Sequence, residues 1–381
     1  MVLTRVRAAL AKPFMPVLFF FGGVTFDSVT LTRVDRLLDN LVLFAYLICL
    51  GGLIVFTGRA ARAARAAESP GRVGEGAKPV VGSVWPAPLV SRAQPYVPHA
   101  IQFIFGSLFS AYTIFYLQSA SLTSTAVFFG LLVALLVGNE FLHHGRVNLR
   151  LLLGLYALVC VSFLTYFLPV LTGLMHPVVF LLGAVLSAGL VLKVALLIHQ
   201  GTGQGDAARR EALLAGLPGV GVVGVLVVFY FLNWIPPVPL SLQFGGIYHQ
   251  VTRQDGDYRL SFERGAWYQF WKRADDSFHG EGPAYCFTAV FAPGRLQTTV
   301  YHHWQHRPAG GRDFATTDRI AMPVSGGREG GYRGSTVKQR VAPGDWRVDL
   351  ETARGQIIGR VSFRVEEAGE ESPAEFVTIV R

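Results

Sequence analysis

The stretch LPGVGVVGVLVVFYFLNW, Leu217 to Trp234, and the Ile235-Pro236-Pro237-Val238-Pro239 that follows it decide the fold. The first piece carries no Lys, Arg, Asp or Glu over a length that, as a helix, spans most of a bilayer's hydrocarbon core. The prolines after it deny the helix a continuation and bias the backbone toward extended forms. Sequence before this junction repeats the first pattern, and sequence after it follows another.

Working back toward the N-terminus, six more apolar stretches occur: Phe14 to Leu31, Leu37 to Phe56, Ala100 to Leu117, Leu122 to Gly138, Leu151 to Leu168 and Val178 to Ile198. Seven spans predict an α-helical polytopic membrane domain over residues 1–235, in keeping with a chain that is 51% hydrophobic and 15% charged. The basic residues sort by connection. Arg5, Arg7, Lys12, Arg59, Arg62, Arg65, Arg72, Lys78, Arg92, Arg146, Arg150, Arg209 and Arg210 occupy alternate loops, and the remaining loops hold Arg33 and Arg36. Cytoplasmic loops retain Lys and Arg, so the N-terminus is expected on the cytoplasmic side of the membrane and the last span exits to the outside. Lys193, near the inner end of its span, can snorkel to the same side. Arg5, Arg7 and Lys12 before an apolar run imitate a signal peptide, but no small-x-small cleavage pattern follows, which predicts a retained first helix. Residues 58–98, rich in Ala, Arg, Gly and Pro, read as a cytoplasmic loop that favours anionic lipid.

The positive charge belongs to this half: 16 of the 34 Lys and Arg, but only 8 of the 25 Asp and Glu, precede Ser241. Loop retention therefore explains the basic balance, and a nucleic-acid surface is not expected. The partner implied is the lipid bilayer.

Past the linker at 236–240, residues 241–381 change period. Trp346, Val348 and Leu350 alternate with Asp345, Arg347 and Asp349, and Val361, Phe363 and Val365 alternate with Ser362 and Arg364. Ala353-Arg354-Gly355-Gln356 between them supplies a turn, so the two runs form a hairpin. Further strands are expected at Tyr258–Phe262, Ala266–Trp271, Tyr285–Phe291, Leu296–Trp304, Arg319–Val324 and Glu375–Val380. The prediction is an all-β, immunoglobulin-like sandwich. Cys49 and Cys160 lie in apolar spans and Cys286 is alone in the β half, so no intrachain disulfide is expected.

Several runs carry a resemblance: Tyr285-Cys286-Phe287-Thr288-Ala289-Val290-Phe291-Ala292-Pro293, Val300-Tyr301-His302-His303-Trp304, Tyr332-Arg333-Gly334-Ser335, Gly344-Asp345-Trp346-Arg347-Val348 and Gly355-Gln356-Ile357-Ile358-Gly359-Arg360. They resemble the bacterial domain of unknown function numbered 2914, often joined to an N-terminal multi-helix membrane region. Phe19 to Ser28 and Arg33 to Asp39 look like the start of that region. The resemblance implies the same two-part architecture and brings no reaction, cofactor or catalytic residue.

Four constellations are candidates for function. Asp27, Arg33, Asp35, Arg36 and Asp39 crowd the outer ends of the first two spans, where a carboxylate near lipid either serves an ion path or is clamped by a neighbouring guanidinium. The clamp is the expected reading. Glu140, His143 and His144 share one helix face by spacing and could offer a metal weak ligands, but only one such box occurs and a hydrated helix end explains it. In the β half, His302, His303 and His306 with His249 invite a zinc reading. Alternation puts His302 with Trp304 and turns His303 away, which favours packing over a site. Trp267, Tyr268, Trp271, Tyr301 and His303 form a candidate binding surface, since exposed aromatics mark recognition faces.

No phosphate loop, nucleophile elbow or His-Glu-x-x-His motif occurs, so no catalytic residue and no cofactor are assigned. The reading is a membrane-held periplasmic domain that binds an envelope protein or glycan. The alternative is a transporter or lipid-linked envelope enzyme working at Asp27 and Arg33.

Overall fold

The computed structural model describes residues 15–30, 37–67, 94–118, 148–200, 205–265, 268–269, 272–279, 282–294, 296–328, 330–366 and 375–381. It divides into two units. One is helical (Met1–Phe115, Val127–Leu168, His176–Leu232), and the other holds the strands (Tyr116–Ala126, Pro169–Met175, Asn233–Arg381).

The described helices are α1 (Met15–Thr30), α2 (Leu37–Ala67), α3 (Val97–Gln118), α4 (Leu149–Thr172), α5 (Pro177–His199) and α6 (Gly205–Phe231). They fall on six of the seven expected spans, and Leu122 to Gly138 lies outside the described residues. Among those residues, four helices rather than seven are long and apolar enough to cross a membrane: α2, α4, α5 and α6. α1 comprises 16 described residues. Residues 58–67 of the expected loop are helical instead, because α2 continues to Ala67 through an Ala-Arg repeat of high helix propensity. α6 likewise starts at Gly205, well before Leu217.

The helices meet through small residues and rings. A Cβ on Gly23 would strike the Phe103 carbonyl, and one on Gly106 would strike the Phe20 carbonyl, so α1 and α3 approach backbone to backbone. Ser110 Oγ donates to the Val24 carbonyl across that contact, 3.3 Å. α2 runs antiparallel to α4, with Phe44 on Phe163 and Gly51 facing Tyr156. Tyr112 and Phe115, near the end of α3, meet Tyr166 near the end of α4. Phe180 and Tyr230 stack at 3.7 Å between α5 and α6. At the far end of α2, Arg59 Nε donates to the Leu197 carbonyl of α5 (2.9 Å), and Arg62 pairs with Glu211 of α6 (3.2 Å).

The strands are β1 (Ser241–Tyr248), β2 (Gln250–Gln254), β3 (Asp257–Glu263), β4 (Ser277–Phe278), β5 (Ala284–Phe291), β6 (Gln297–Arg307), β7 (Ala315–Ser325), β8 (Tyr332–Lys338), β9 (Gly344–Thr352), β10 (Ile357–Val365) and β11 (Phe376–Val380). They form three sheets: a central one, β1-β5-β8, a large one, β4-β10-β9-β6-β7, and a small one, β11-β3-β2. The expected hairpin is β9–β10, in register Trp346↔Phe363 and Val348↔Val361. Ala266–Trp271 is a different case: Tyr268 and Gln269 are not in a strand, and the rest lies outside the described residues.

Successive residues of β5 point to opposite sides, and both sides are buried. Cys286 joins Trp304, Trp346, Val348, Phe363 and Val365 in the core facing the large sheet, and Phe287 joins Tyr248, Leu260 and Phe262 on the small-sheet side. The Pro-rich linker is no free spacer. Ile235 and Val238 are buried, Gln356 Nε2 donates to the Ile235 carbonyl (3.1 Å), and Asn233 Nδ2 to that of Arg354 (3.4 Å), tying it to the β9–β10 turn.

Candidate functional site

Alternation sends Val300, His302 and Trp304 of β6 into the core and leaves Tyr301, His303 and Gln305 on the opposite, outer face of the large sheet. Register brings Glu351, Asp349 and Arg347 of β9 opposite these three residues in turn. Arg360, Ser362 and Arg364 of β10 lie opposite Asp349, Arg347 and Asp345.

The face is laced with ion pairs. The Arg319 guanidinium lies 4.1 Å over the Tyr301 ring, and its Nε donates to Glu351 Oε1 at 2.5 Å. The other oxygen of Glu351 is 3.3 Å from His303 Nδ1, and His303 Nε2 is 2.8 Å from the Thr316 hydroxyl. Arg360 grips the almost fully buried Asp349 with two bonds, 2.5 and 2.8 Å, which raise the guanidinium pKa. Asp345 accepts from Arg307 (2.7 Å) and Arg364 (2.8 Å), and these two bonds hold its carboxyl below the usual range. Arg347 differs: Nε donates to Gln305 Oε1 (2.6 Å) and the guanidinium lies 4.2 Å over Phe314. Burial first, then the charges of Arg360 and Arg307, push its pKa down.

A second constellation ties strand ends together. His249 Nδ1 faces Asp275 Oδ2 (3.0 Å) and its Nε2 the His279 carbonyl (3.1 Å), while His279 Nδ1 faces Glu263 Oε2 (2.7 Å) and its Nε2 Glu366 Oε2 (3.2 Å). Both nitrogens of both rings thus meet oxygen acceptors, the arrangement an imidazolium satisfies. Burial depresses the His249 pKa, but the Asp275 bond and the surrounding carboxylates outweigh it and the net shift is upward. His279 is raised chiefly by its bond to Glu263. Burial raises Asp275 despite its His249 partner. With Lys272 3.8 Å from Asp275, two imidazoles and an ammonium face three carboxylates, a closed structural staple. Among the described residues no group of His, Cys, Asp and Glu is disposed to hold a metal.

His302 has the opposite environment. It is fully buried between the hydroxyls of Thr288 (2.9 Å) and Thr336 (2.8 Å), and desolvation lowers its pKa to about 4. His306 stacks on Trp346 and reaches the Pro343 carbonyl. Packing and hydrogen bonding therefore account for these histidines.

Of the candidate residues, Tyr301 and His303 come together on the outer face. Tyr268 is exposed in the β3–β4 connection, and Trp267 and Trp271 lie outside the described residues. Asp39 sits in the first turn of α2, where a helix N-terminus favours negative charge. Asp27 belongs to α1, but its side chain lies outside the described residues, as do Arg33, Asp35, Arg36, Glu140, His143 and His144. The sequence reading missed Arg319, Glu351, Arg360 and Phe314 as partners of this face, and Glu263, Asp275, His279 and Glu366 of the staple. Alternation had set Arg347 and Asp349 on one side, but the neighbours across the sheet follow only from register.

The strands that build this face coincide with a family match. Residues 297–365 match the family described as Protein of unknown function (DUF2914). The resemblance read in the sequence holds over the DUF2914 region, which runs from β6 through β10 and contributes every outer-face residue named above. No curated protein matches the chain. Among solved structures, the alkylpurine DNA glycosylase AlkC of Pseudomonas fluorescens, bound to DNA containing an abasic site analog, aligns over 88% of this chain and 100% of its own. Identity is 11% and the TM-score 0.20, too low to indicate a shared fold.

Proposed function

We propose that the helical unit anchors this protein in a bacterial inner membrane and holds the β unit in the periplasm, where the outer face of the DUF2914 strands binds an envelope protein or glycan. The outer face carries the reading. Tyr301, His303, Arg319, Arg347 and Arg360 offer rings and guanidinium groups on a rigid sheet, a composition favoured at recognition surfaces.

We read the central and large sheets as the two layers of an immunoglobulin-like sandwich, with the small sheet added outside the central one. Seven crossings are part of the proposal, which counts α1, α3 and Leu122 to Gly138 with the four apolar helices. α2 and α5 end side by side at Arg59 and Leu197, so the chain crosses an even number of times between those ends. α3, Leu122 to Gly138, α4 and α5 meet that condition as four crossings, and α4 and α5 alone meet it as two. Phe105, Phe109, Phe163, Tyr112 and Tyr166 are buried in the helical unit, packing that suits an anchor better than a conduit.

Two measurements test the reading. Alkaline phosphatase fused after Arg381 should be active and fused within Gly71–Lys78 inactive; the reverse refutes the location. A photocrosslinking residue at Tyr301 should yield a discrete adduct in cells that the same group at the exposed Val380 does not. Equal or no adducts at both positions refute the binding face.

A further inference from the structure

The β9–β10 ladder on the outer face alternates in a regular way with one exception. Asp349 stands opposite Arg360 and Asp345 opposite Arg364, but between them Arg347 stands opposite Ser362, which is exposed and brings no charge. The neighbouring carboxylates are committed: Asp349 takes both bonds of Arg360, and Asp345 is shared by Arg307 and Arg364. Among the described residues Arg347 has no carboxylate partner, and of the five N–H donors of a guanidinium only Nε–H is taken, by Gln305. Phe314 lies under the guanidinium groups of both Arg347 and Arg307 and fixes them beside each other. Arg312 and Asp313 next to it cancel in charge. The row therefore gathers Arg307, Arg347, Arg360 and Arg364 against two aspartates, an excess of two positive charges around a hydroxyl.

We propose that Arg347 and Ser362, framed by Arg307, Arg360 and Arg364, bind a doubly charged phosphate group, either inorganic phosphate or a phosphomonoester; the proposal deepens the reading of this face as the working surface. A planar guanidinium with free paired donors matches two phosphate oxygens, and the flanking arginines lie within reach because same-face neighbours on a strand are about 7 Å apart. The excess of two charges selects a dianion over a singly charged phosphodiester.

The test uses the full chain in a zwitterionic detergent, with calorimetric titration of inorganic phosphate against chloride at matched ionic strength. Saturable phosphate binding is expected in the wild type, and Arg347→Gln should weaken it at least tenfold. Ser362→Asp places a carboxylate opposite Arg347 and completes the ladder, so it should abolish binding while leaving the thermal midpoint unchanged or higher. Arg340→Gln, an exposed arginine outside the row, should bind as the wild type does. Phosphatidic acid in mixed micelles separates the sources: tighter binding than inorganic phosphate assigns a lipid phosphomonoester, and equal binding a free phosphate. Phosphatidylglycerol, a diester, should compete poorly. Absence of saturable binding, or binding unchanged in both Arg347→Gln and Ser362→Asp, overturns the proposal. A crosslink from Tyr301 without phosphate binding refutes this site alone, and phosphate binding without a crosslink refutes the partner reading alone.

Discussion

His302 makes the stability of the β unit depend on pH in a way that one substitution isolates. Its ring is sealed between Thr288 and Thr336, and Thr336 also accepts from Trp304 Nε1 at 3.1 Å, so a charged imidazole has no carboxylate to meet there. A neutral ring satisfies both hydroxyls. The pKa falls from 6.5 to about 4 on folding, so the unfolded chain takes up the proton first as pH drops. The contribution is fully present above pH 6.5 and is lost as pH falls toward 4, about 3 kcal/mol in all. At a urea m-value near 2 kcal/mol/M this lowers the midpoint by about 1.5 M. His302→Gln keeps hydrogen bonding but cannot titrate, so it should unfold earlier at pH 7 yet lose far less between pH 7 and 4.5. Pulse proteolysis of the β unit in urea reads both midpoints in the full chain. Parallel pH slopes in wild type and variant, or an NMR titration of His302 near 6.5, would refute the reasoning. The staple acts on the other side: the raised pKa values of His249 and His279 favour the folded state below 6.5, and this gain is lost as pH rises past 6.5 through their folded values.

Three other outcomes are expected. Trp346→Ala empties a site shared with Trp304 and Phe363 and should cost about 3 to 5 kcal/mol; an unchanged urea midpoint would contradict that core. Gly106→Leu should separate α1 from α3 and cut folded yield in detergent, whereas Gly22→Leu, where nothing lies within 4 Å of a Cβ, should not; equal yields would sink the glycine contact. We expect Asp27→Asn and Arg33→Gln, or Arg36→Gln, each to lower folded yield and the double change to recover part of it. If Asp27→Asn folds normally and only a cellular phenotype is lost, Asp27 is a functional carboxylate.

The β9–β10 hairpin was legible because Trp346, Val348 and Leu350 alternate cleanly and Gly355 marks the turn. β8 was not. Its Gly334, Ser335 and Thr336 look like a loop, yet Thr336 is buried because His302 and Trp304 need its hydroxyl. β1 was hidden in the same way by Gly245 and Gly246, which a strand tolerates where a neighbour presses close, as the Val361 side chain does on Gly245. Helix ends were read short because hydropathy stops where Arg59 and Arg62 begin, although the Ala-Arg repeat keeps the helix going. At the candidate site, the alternation located Tyr301 and His303, but Arg319 and Glu351 reach them from other strands, and one sequence holds no record of that register.

The central sheet has a consequence for how this protein can change over generations. Cys286 and Phe287 are adjacent in sequence and serve different cores, so a size change in β5 disturbs packing on two sides at once, and compensation would have to arise in both neighbouring sheets together. The outer faces of the large and small sheets answer to one core each. Inherited variation should therefore be sparse in β5 and more permissive at exposed strand positions outside the proposed sites, such as Thr252 of β2 and Ser325 of β7, while the middle layer stays fixed.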